Sequence, residues 1–193
     1  MKGKIIQAAI DLFDEKGFKE TSIEDITNNI GATKGTFYYY FKSKQELLKD
    51  IHLSHILDLL QKQEEIIQDP SKSNYQKLYD IIYLIISRIR TKGKSARIIF
   101  REMRHIKEVD LEQIKGKRRD FRLNVQSLLE DGIAKGHFKN NVRADILAFS
   151  ILDMVNRTYY WYNPDGEISE EELVDYYLDI ILNGIKSRGP EHN

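Results

Sequence analysis

The chain has 193 residues, with 30 Lys and Arg against 30 Asp and Glu for a net charge of zero, so no global field draws it to nucleic acid or membrane and any nucleic-acid footprint must be local. It has no cysteine, which excludes disulfides, thiolate metal sites and a cysteine nucleophile and fits a reducing compartment. Asp11, Asp14 and Glu15 interrupt the N-terminal apolar stretch before a signal-peptide core is complete, and the richest apolar run, Leu78 to Ile86, is too short to span a bilayer and is broken by Asp80. These features predict a cytoplasmic protein without membrane association.

Only three prolines, Pro70, Pro164 and Pro190, interrupt long stretches of apolar residues at a period of 3.6, which predicts an all-α fold. Ile5, Ile6, Ala9, Leu12 and Phe13 form the buried stripe of a first helix that Gly17 ends. Thr21, Ser22 and Glu24 offer a capping box to a short second helix with Ile23, Ile26 and Ile30 on one face, and Gly31 supplies its left-handed stop. Thr33 caps a third helix that turns Phe37 and Phe41 inward, with Tyr39 expected to pack back into the core against the first helix. Ser43 and Glu46 make another capping box that opens a fourth.

After residue 50 the helices lengthen, with expected spans of 44–68, 75–92, 96–106, 111–135, 143–162 and 169–187. The turn-rich stretches "DPSKSN", "TKGK", "KGHFKNN" and "NPDGEIS" separate the later ones, and Ser169 with Glu172 caps the last. The predicted architecture is a small N-terminal helical module attached through the fourth helix to a larger helical bundle.

The second and third helices, joined by "NIGAT", have the form of a helix-turn-helix, with Gly31 at the turn and Ala32 small enough for the crossing. The third helix opens on Thr33, Lys34, Gly35 and Thr36, slender enough to enter a major groove and carrying donors for base edges and phosphates. Tyr38 and Tyr40 follow as hydroxyls on long rigid stems that suit phosphate oxygens flanking the groove. From Thr33 to Lys49 the charges are Lys34, Lys42, Lys44 and Lys49 against Glu46, the local positive footprint that a neutral chain needs. Lys44 stands at the start of the fourth helix, where free backbone amides also favour a phosphate.

The segment "TSIEDITNNIGATKGTFYYYFKSKQELL" resembles the DNA-binding domain of the TetR family of bacterial transcriptional repressors. The resemblance implies a DNA-binding domain over residues 1–48 and a ligand-binding and dimerisation domain over 49–193. It implies a homodimer that reads a palindromic double-stranded operator and is released by a small-molecule inducer. Carried over by position, Thr21 and Ser22 are similar to phosphate contacts at the start of the second helix. Lys34, Gly35, Thr36 and Tyr38 are similar to base and groove contacts, and Tyr40 and Lys44 to phosphate contacts. The last two long helices are expected to form the dimer interface through Ile146, Leu147, Ile151, Leu152, Val155, Leu173, Tyr177, Ile180 and Ile181, more apolar side chains than one internal face needs.

For the larger domain, helical spacing places Ser150, Met154, Arg157 and Trp161 in one line. A buried arginine needs an anion, and an indole beside it offers an apolar wall with one donor, a pair suited to a ligand with an acidic head and a hydrophobic body. Asp153, four residues before Arg157, could equally pair with it and leave Trp161 to the core or to a dimer interface. Asn156, Trp161, Tyr162, Pro164 and Gly166 before a capped final helix, together with "FREMRHI" from Phe100 to Ile106, resemble the C-terminal domain of TetR-type regulators of fatty-acid, aromatic-acid or steroid degradation. That resemblance implies an acyl-CoA thioester as inducer. The ligand residues expected on this basis are Phe100, Arg101, Arg104, Met154, Arg157 and Trp161. Arg97 is a further candidate for the phosphates of such a ligand, and so is the run Lys115, Lys117, Arg118, Arg119 and Arg122, although such a run is usually a solvated face.

His52 and His55 share a helical face without a third ligand at metal spacing, and His105, His137 and His192 stand alone, so neither metal nor cofactor is expected. No nucleophile elbow, phosphate-binding glycine loop or acid–base carboxylate pair is present, so no enzyme activity is expected. The alternatives are a repressor of an efflux gene that senses lipophilic cations on the same fold, and an activator or architectural DNA-binding protein. Arg157 argues against the first, and the many tyrosines leave it open.

Overall fold

The structure, a computed structural model, describes residues 1–139 and 141–183. Every regular element among them is helical: α1 (Lys2–Lys16), α2 (Ile23–Asn29), α3 (Lys34–Tyr40), α4 (Lys44–Gln68), α5 (Asn74–Arg101), α6 (Glu108–Ala134), α7 (Ala144–Arg157) and α8 (Glu170–Asn183), with short 3-10 turns at Met103–His105 and Thr158–Tyr160. The expected extension of the last helix to residue 187, and His192, lie outside the described residues. None of these helices is long and apolar enough to cross a membrane.

The backbone forms two compact units. The first comprises Met1–Lys62 and Arg88–Phe121, so it contains α1 to α3, most of α4, the second half of α5 and the first half of α6. Its core is continuous, with Ile5, Phe13, Ile26, Phe37, Leu47 and Leu48 fully enclosed. Each such side chain contributes about 1.5–3 kcal/mol of burial relative to exposure. Ion pairs tie α5 to α1 inside this unit: Lys94 to Asp11 at 2.5 Å, and Arg97 to Asp14 through bonds of 2.9 and 2.5 Å.

The second unit comprises Gln63–Ser87 and residues from Arg122 onward, with Leu78, Ile81, Ile82, Val125, Leu129, Ile151 and Val174 enclosed. Asn74 anchors the start of α5 by donating to the Leu128 carbonyl at 3.2 Å and to Asp131 at 2.8 Å. The end of α7 meets α8 through the buried Thr158 and Tyr177 hydroxyls, 2.8 Å apart.

Several local expectations change. Segments 75–92 and 96–106 are one helix through Arg101 with a kink at Lys92 (φ −131°, ψ 17°), not two helices separated by a loop. A glycine just beyond the kink weakens the helix without ending it. The box that opens α2 pairs Ser22 with Asp25 rather than Glu24, since Asp25 is the residue three along from the cap: Ser22 Oγ accepts from the Asp25 amide at 3.0 Å and the Ser22 amide donates to Asp25 at 2.8 Å. Tyr39 is 81% exposed rather than core. With Phe37 and Phe41 inward, a residue two positions past Phe37 is rotated by about 200° and must face out, whereas Tyr40 shares the inner side and packs against the core.

Candidate functional site

The turn between α2 and α3 is built by backbone chemistry. Gly31 takes φ +63°, a conformation costly for a side-chain-bearing residue. The Ala32 amide donates to Thr27 O at 2.8 Å and the Gly31 amide to Asn28 O at 3.2 Å, the two bonds of a Schellman stop. Thr33 then caps α3, its hydroxyl accepting from the Thr36 amide at 3.2 Å and lying 3.1 Å from the Thr36 hydroxyl. Two short helices are thus locked at a corner, with Ile26 and Phe37 on the inside.

The outer side of α3 shows Thr33, Lys34, Gly35, Tyr38 and Tyr39 to solvent, with Thr36 and Tyr40 partly covered. A Cβ at Gly35 would meet only the Thr33 hydroxyl, at an ordinary 3.6 Å. Internal packing therefore does not require glycine there, and its lack of a side chain leaves room for something outside the protein. Lys34 pairs with Glu24 at 2.8 Å, both more than half exposed, and such a pair is easily exchanged for a phosphate.

Two expected phosphate contacts are corrected by burial and bonding. Thr21 is fully buried and its hydroxyl donates inward, to Gly17 O at 2.8 Å and Leu12 O at 3.2 Å. Lys44 closes the α1–α2 corner from behind: its ammonium donates to Phe18 O and Thr21 O at 2.5 Å each and to Lys19 O at 3.4 Å, and lies 4.4 Å from the centre of the Phe18 ring. Burial holds the Lys44 pKa below its ordinary value. Three carbonyls take the three protons an ammonium has, so none points outward. Lys49 likewise turns to Asp110 at 2.6 Å. Of the four lysines counted for the local footprint, Lys34 and Lys42 remain on the surface.

The residues expected to hold a ligand fall in different units. Phe100, Arg101 and Arg104 belong to the first, and Met154, Arg157 and Trp161 to the second. Arg101 is occupied by Glu102 at 2.7 Å and by the backbone carbonyls of Phe13 and Asp14, so it fastens α5 to the end of α1. Arg104 bonds its neighbour His105 at 3.4 Å, and Phe100 lies under the Arg118 guanidinium at 5.1 Å. Arg157 is exposed rather than buried, which removes its need for an anion. Among the described residues it makes no ion pair with Asp153; its guanidinium stands 5.9 Å from the Tyr160 ring centre. Trp161 is 57% exposed. In the basic run, Lys115 and Lys117 pair with Glu112 and Asp120 along their own helix, as on a solvated face.

Comparison with known proteins decides the family. The domain described as "Bacterial regulatory proteins, tetR family" matches residues 5–51, and "Tetracyclin repressor-like, C-terminal domain" matches residues 71–185, more than half of the chain. The chain belongs to the TetR family. The HTH-type transcriptional repressor KstR2 of Mycolicibacterium smegmatis is 26% identical, covering 99% of this chain and 94% of that protein. The solved ketosteroid transcriptional regulator KstR2 of Mycobacterium tuberculosis shares the fold with a TM-score of 0.84 at 22% identity, covering 97% and 95% of the two chains. AibR, solved in complex with isovaleryl coenzyme A and operator DNA, does so with a TM-score of 0.81 at 23% identity, covering 94% and 97%. The matched family is one of DNA-binding transcription regulators, not enzymes.

In this TetR-family regulator the outward residue that sequence reasoning missed is Tyr39, which joins Tyr38 on the open side of α3. Measuring the helical angle from Phe37 finds it. The inward role of Lys44 carries no local signal, because its acceptors lie 23 to 26 positions away along the chain.

Proposed function

We propose that the protein is a ligand-responsive repressor acting in the cytoplasm as a homodimer on a palindromic operator, with residues 1–48 as the DNA-binding domain and 49–193 for ligand and dimer. The observation that carries the DNA part is the open face of α3: Lys34, Gly35, Thr36 and Tyr38 for the groove, with Thr33, Tyr39, Tyr40 and Ser22 toward the flanking phosphates. Two such helices must stand about 34 Å apart to enter successive major grooves. Dimerisation is supported by an apolar surface on α7, α8 and the turn after α7, where Ile146, Phe149, Tyr160, Trp161, Tyr176 and Ile180 are each about half exposed or more. This set differs from the one expected from sequence, because Ile151, Leu152, Val155, Leu173 and Tyr177 are used inside the protomer. Exposure favours Trp161 on the dimer face, with Arg157 beside it.

The inducer in this reading is an acyl-CoA thioester, supported by the likeness in fold to AibR bound to isovaleryl coenzyme A and by a 23% identical relative, the fatty acid metabolism regulator protein of Bacillus subtilis. Ligand favours a separation of the two recognition helices that no longer fits the operator, and DNA weakens ligand binding by the same factor. Titrating isovaleryl-, phenylacetyl- and palmitoyl-CoA and a lipophilic cation into a protein–operator complex tests it. At least one thioester releases the DNA; release by the cation alone overturns the acyl-CoA assignment and leaves the cation-sensing alternative.

A further inference from the structure

The outward side of α7 has opposite charges at its middle and large apolar side chains at both ends. Its exposed residues are Ile146, Phe149, Ser150, Asp153 and Arg157, which share one stripe at helical spacing, and the 3-10 turn adds Tyr160 to its end, with Trp161 next. Ala148, Ile151, Leu152, Val155 and Thr158 hold the opposite side of the same helix in the core of the protomer. Ile146 and Phe149 lie at one end of the stripe and Tyr160 and Trp161 at the other, each about half exposed or more. The Arg122 guanidinium of α6 lies over the Phe149 ring, 4.4 Å from its centre, without burying it. Neither Asp153 nor Arg157 has an ion-pair partner among the described residues, and both are exposed.

The order of these residues is self-complementary. Counted from Val155, Asp153 and Arg157 stand two residues to either side, Ser150 and Tyr160 five, and Phe149 and Trp161 six. In an antiparallel pair of identical helices related by a two-fold axis, each residue faces the one equally far on the other side of the axis. An axis level with Val155 therefore sets each Asp153 against the other copy's Arg157, and each Phe149 against the other copy's Trp161. Moving the axis two residues toward either end sets Asp153 against Asp153 or Arg157 against Arg157, and like charges at the centre of an interface oppose association.

We propose that α7 packs antiparallel on α7 of a second copy in this register, with two reciprocal Asp153–Arg157 ion pairs at its centre and Phe149 against Trp161 on either side. The inference rests on the dimer reading above and adds which residues meet. Arg157 then receives its anion on dimerisation, from the second copy and not from a ligand. The register also selects for this chain, because a partner without the acid leaves a guanidinium in the interface with no counter-charge.

The test is sedimentation of the full chain, wild type and variants, alone and mixed. Wild type is expected as a dimer. Asp153→Arg and Arg157→Glu each bring like charges together twice in this register, so each alone should dimerise at least about tenfold more weakly. Mixed in equal amounts, the two should recover a dimer within about threefold of the wild-type affinity, because one chain is then basic at both positions and the other acidic at both. Recovery that needs two different chains cannot arise within one helix. Both positions are exposed, and thermal melts check that each variant keeps the fold. A monomeric wild type overturns the dimer reading and the register with it. A dimeric wild type whose mixed variants associate no better than either alone overturns the register and leaves the dimer. Unchanged association of Asp153→Arg overturns it as well, and points Arg157 to a carboxylate of α8 such as Asp175 or Asp179.

Discussion

Two of the surfaces that expose aromatic side chains, one on α3 and one on α7, α8 and the turn after α7, differ in what surrounds the rings. On α3, Tyr38 and Tyr39 stand beside Lys34 and the bare backbone of Gly35, so hydroxyl tips, a cation and a slender helix share one surface. On α7, α8 and the turn after α7, Phe149, Tyr160, Trp161 and Tyr176 lie among Ile146 and Ile180. The first surface can hydrogen-bond to phosphates and base edges without losing water from any large apolar area. The second gains by losing water, as an interface between protein chains does. Exposure of aromatics is therefore not one signal; the polarity of the neighbours decides which partner a ring suits.

The largest effect tests the inner side of the first region. Phe37→Ala should lower stability by about 3–5 kcal/mol, measured by denaturant unfolding, because the ring is fully enclosed and its loss leaves a cavity. An equal loss for Tyr39→Ala would break the contrast between the inner and outer faces of α3. Next in size, Trp161→Glu should weaken self-association by about 2 kcal/mol or more, read as a drop in mass toward the monomer in sedimentation, with operator binding falling alongside. Unchanged mass would detach the apolar face from dimerisation. Tyr38→Ala should weaken operator binding by about 10- to 100-fold, the worth of about 1–3 kcal/mol in lost groove contacts, with the thermal melt unchanged.

The smallest effect concerns the interior of α4. Both ring nitrogens of His52 are buried without a hydrogen-bond partner among the described residues, and so is Nδ1 of His55. Burial, with the nearby Arg118 and Arg88 charges, lowers the pKa of His52 to about 3 and of His55 to about 4. The unfolded chain takes up these protons first, near the ordinary value of about 6.5. Stability is thus full above that pH, falls as the pH drops toward 4, and levels off near 3. His52→Phe should raise stability by about 1 kcal/mol at pH 7 and flatten the acid slope in melts between pH 7 and 4. A slope unchanged by the substitution would place the acid sensitivity elsewhere, for instance at His55, whose protonation in the unfolded chain falls in the same window.

The parts legible in the sequence are those set by residues a few positions apart. The Gly31 stop, the Thr33 and Ser169 caps, the inward pair Phe37 and Phe41, and the span of α4 follow from local backbone chemistry and a period of 3.6, and the structure has each of them. The two differences at this range have local causes as well: Asp25 stands where a cap partner must, and Tyr39 is on the wrong side of its helix for the core.

What the amino-acid order determined by itself, then, is the set of helices, their punctuation and the helix-turn-helix, because hydrogen bonds between near neighbours and one buried stripe per helix define them. Only the tertiary structure decided which charges are free. Lys44 spends its protons on carbonyls 23 to 26 residues earlier, Lys49 on Asp110, Arg97 on Asp14 and Arg101 on the end of α1, while Arg157 stays in solvent. A charge finds its partner across the packed unit, at a sequence separation no local pattern encodes, and a lysine's neighbours in the chain cannot say whether its ammonium faces a phosphate or the protein's own backbone.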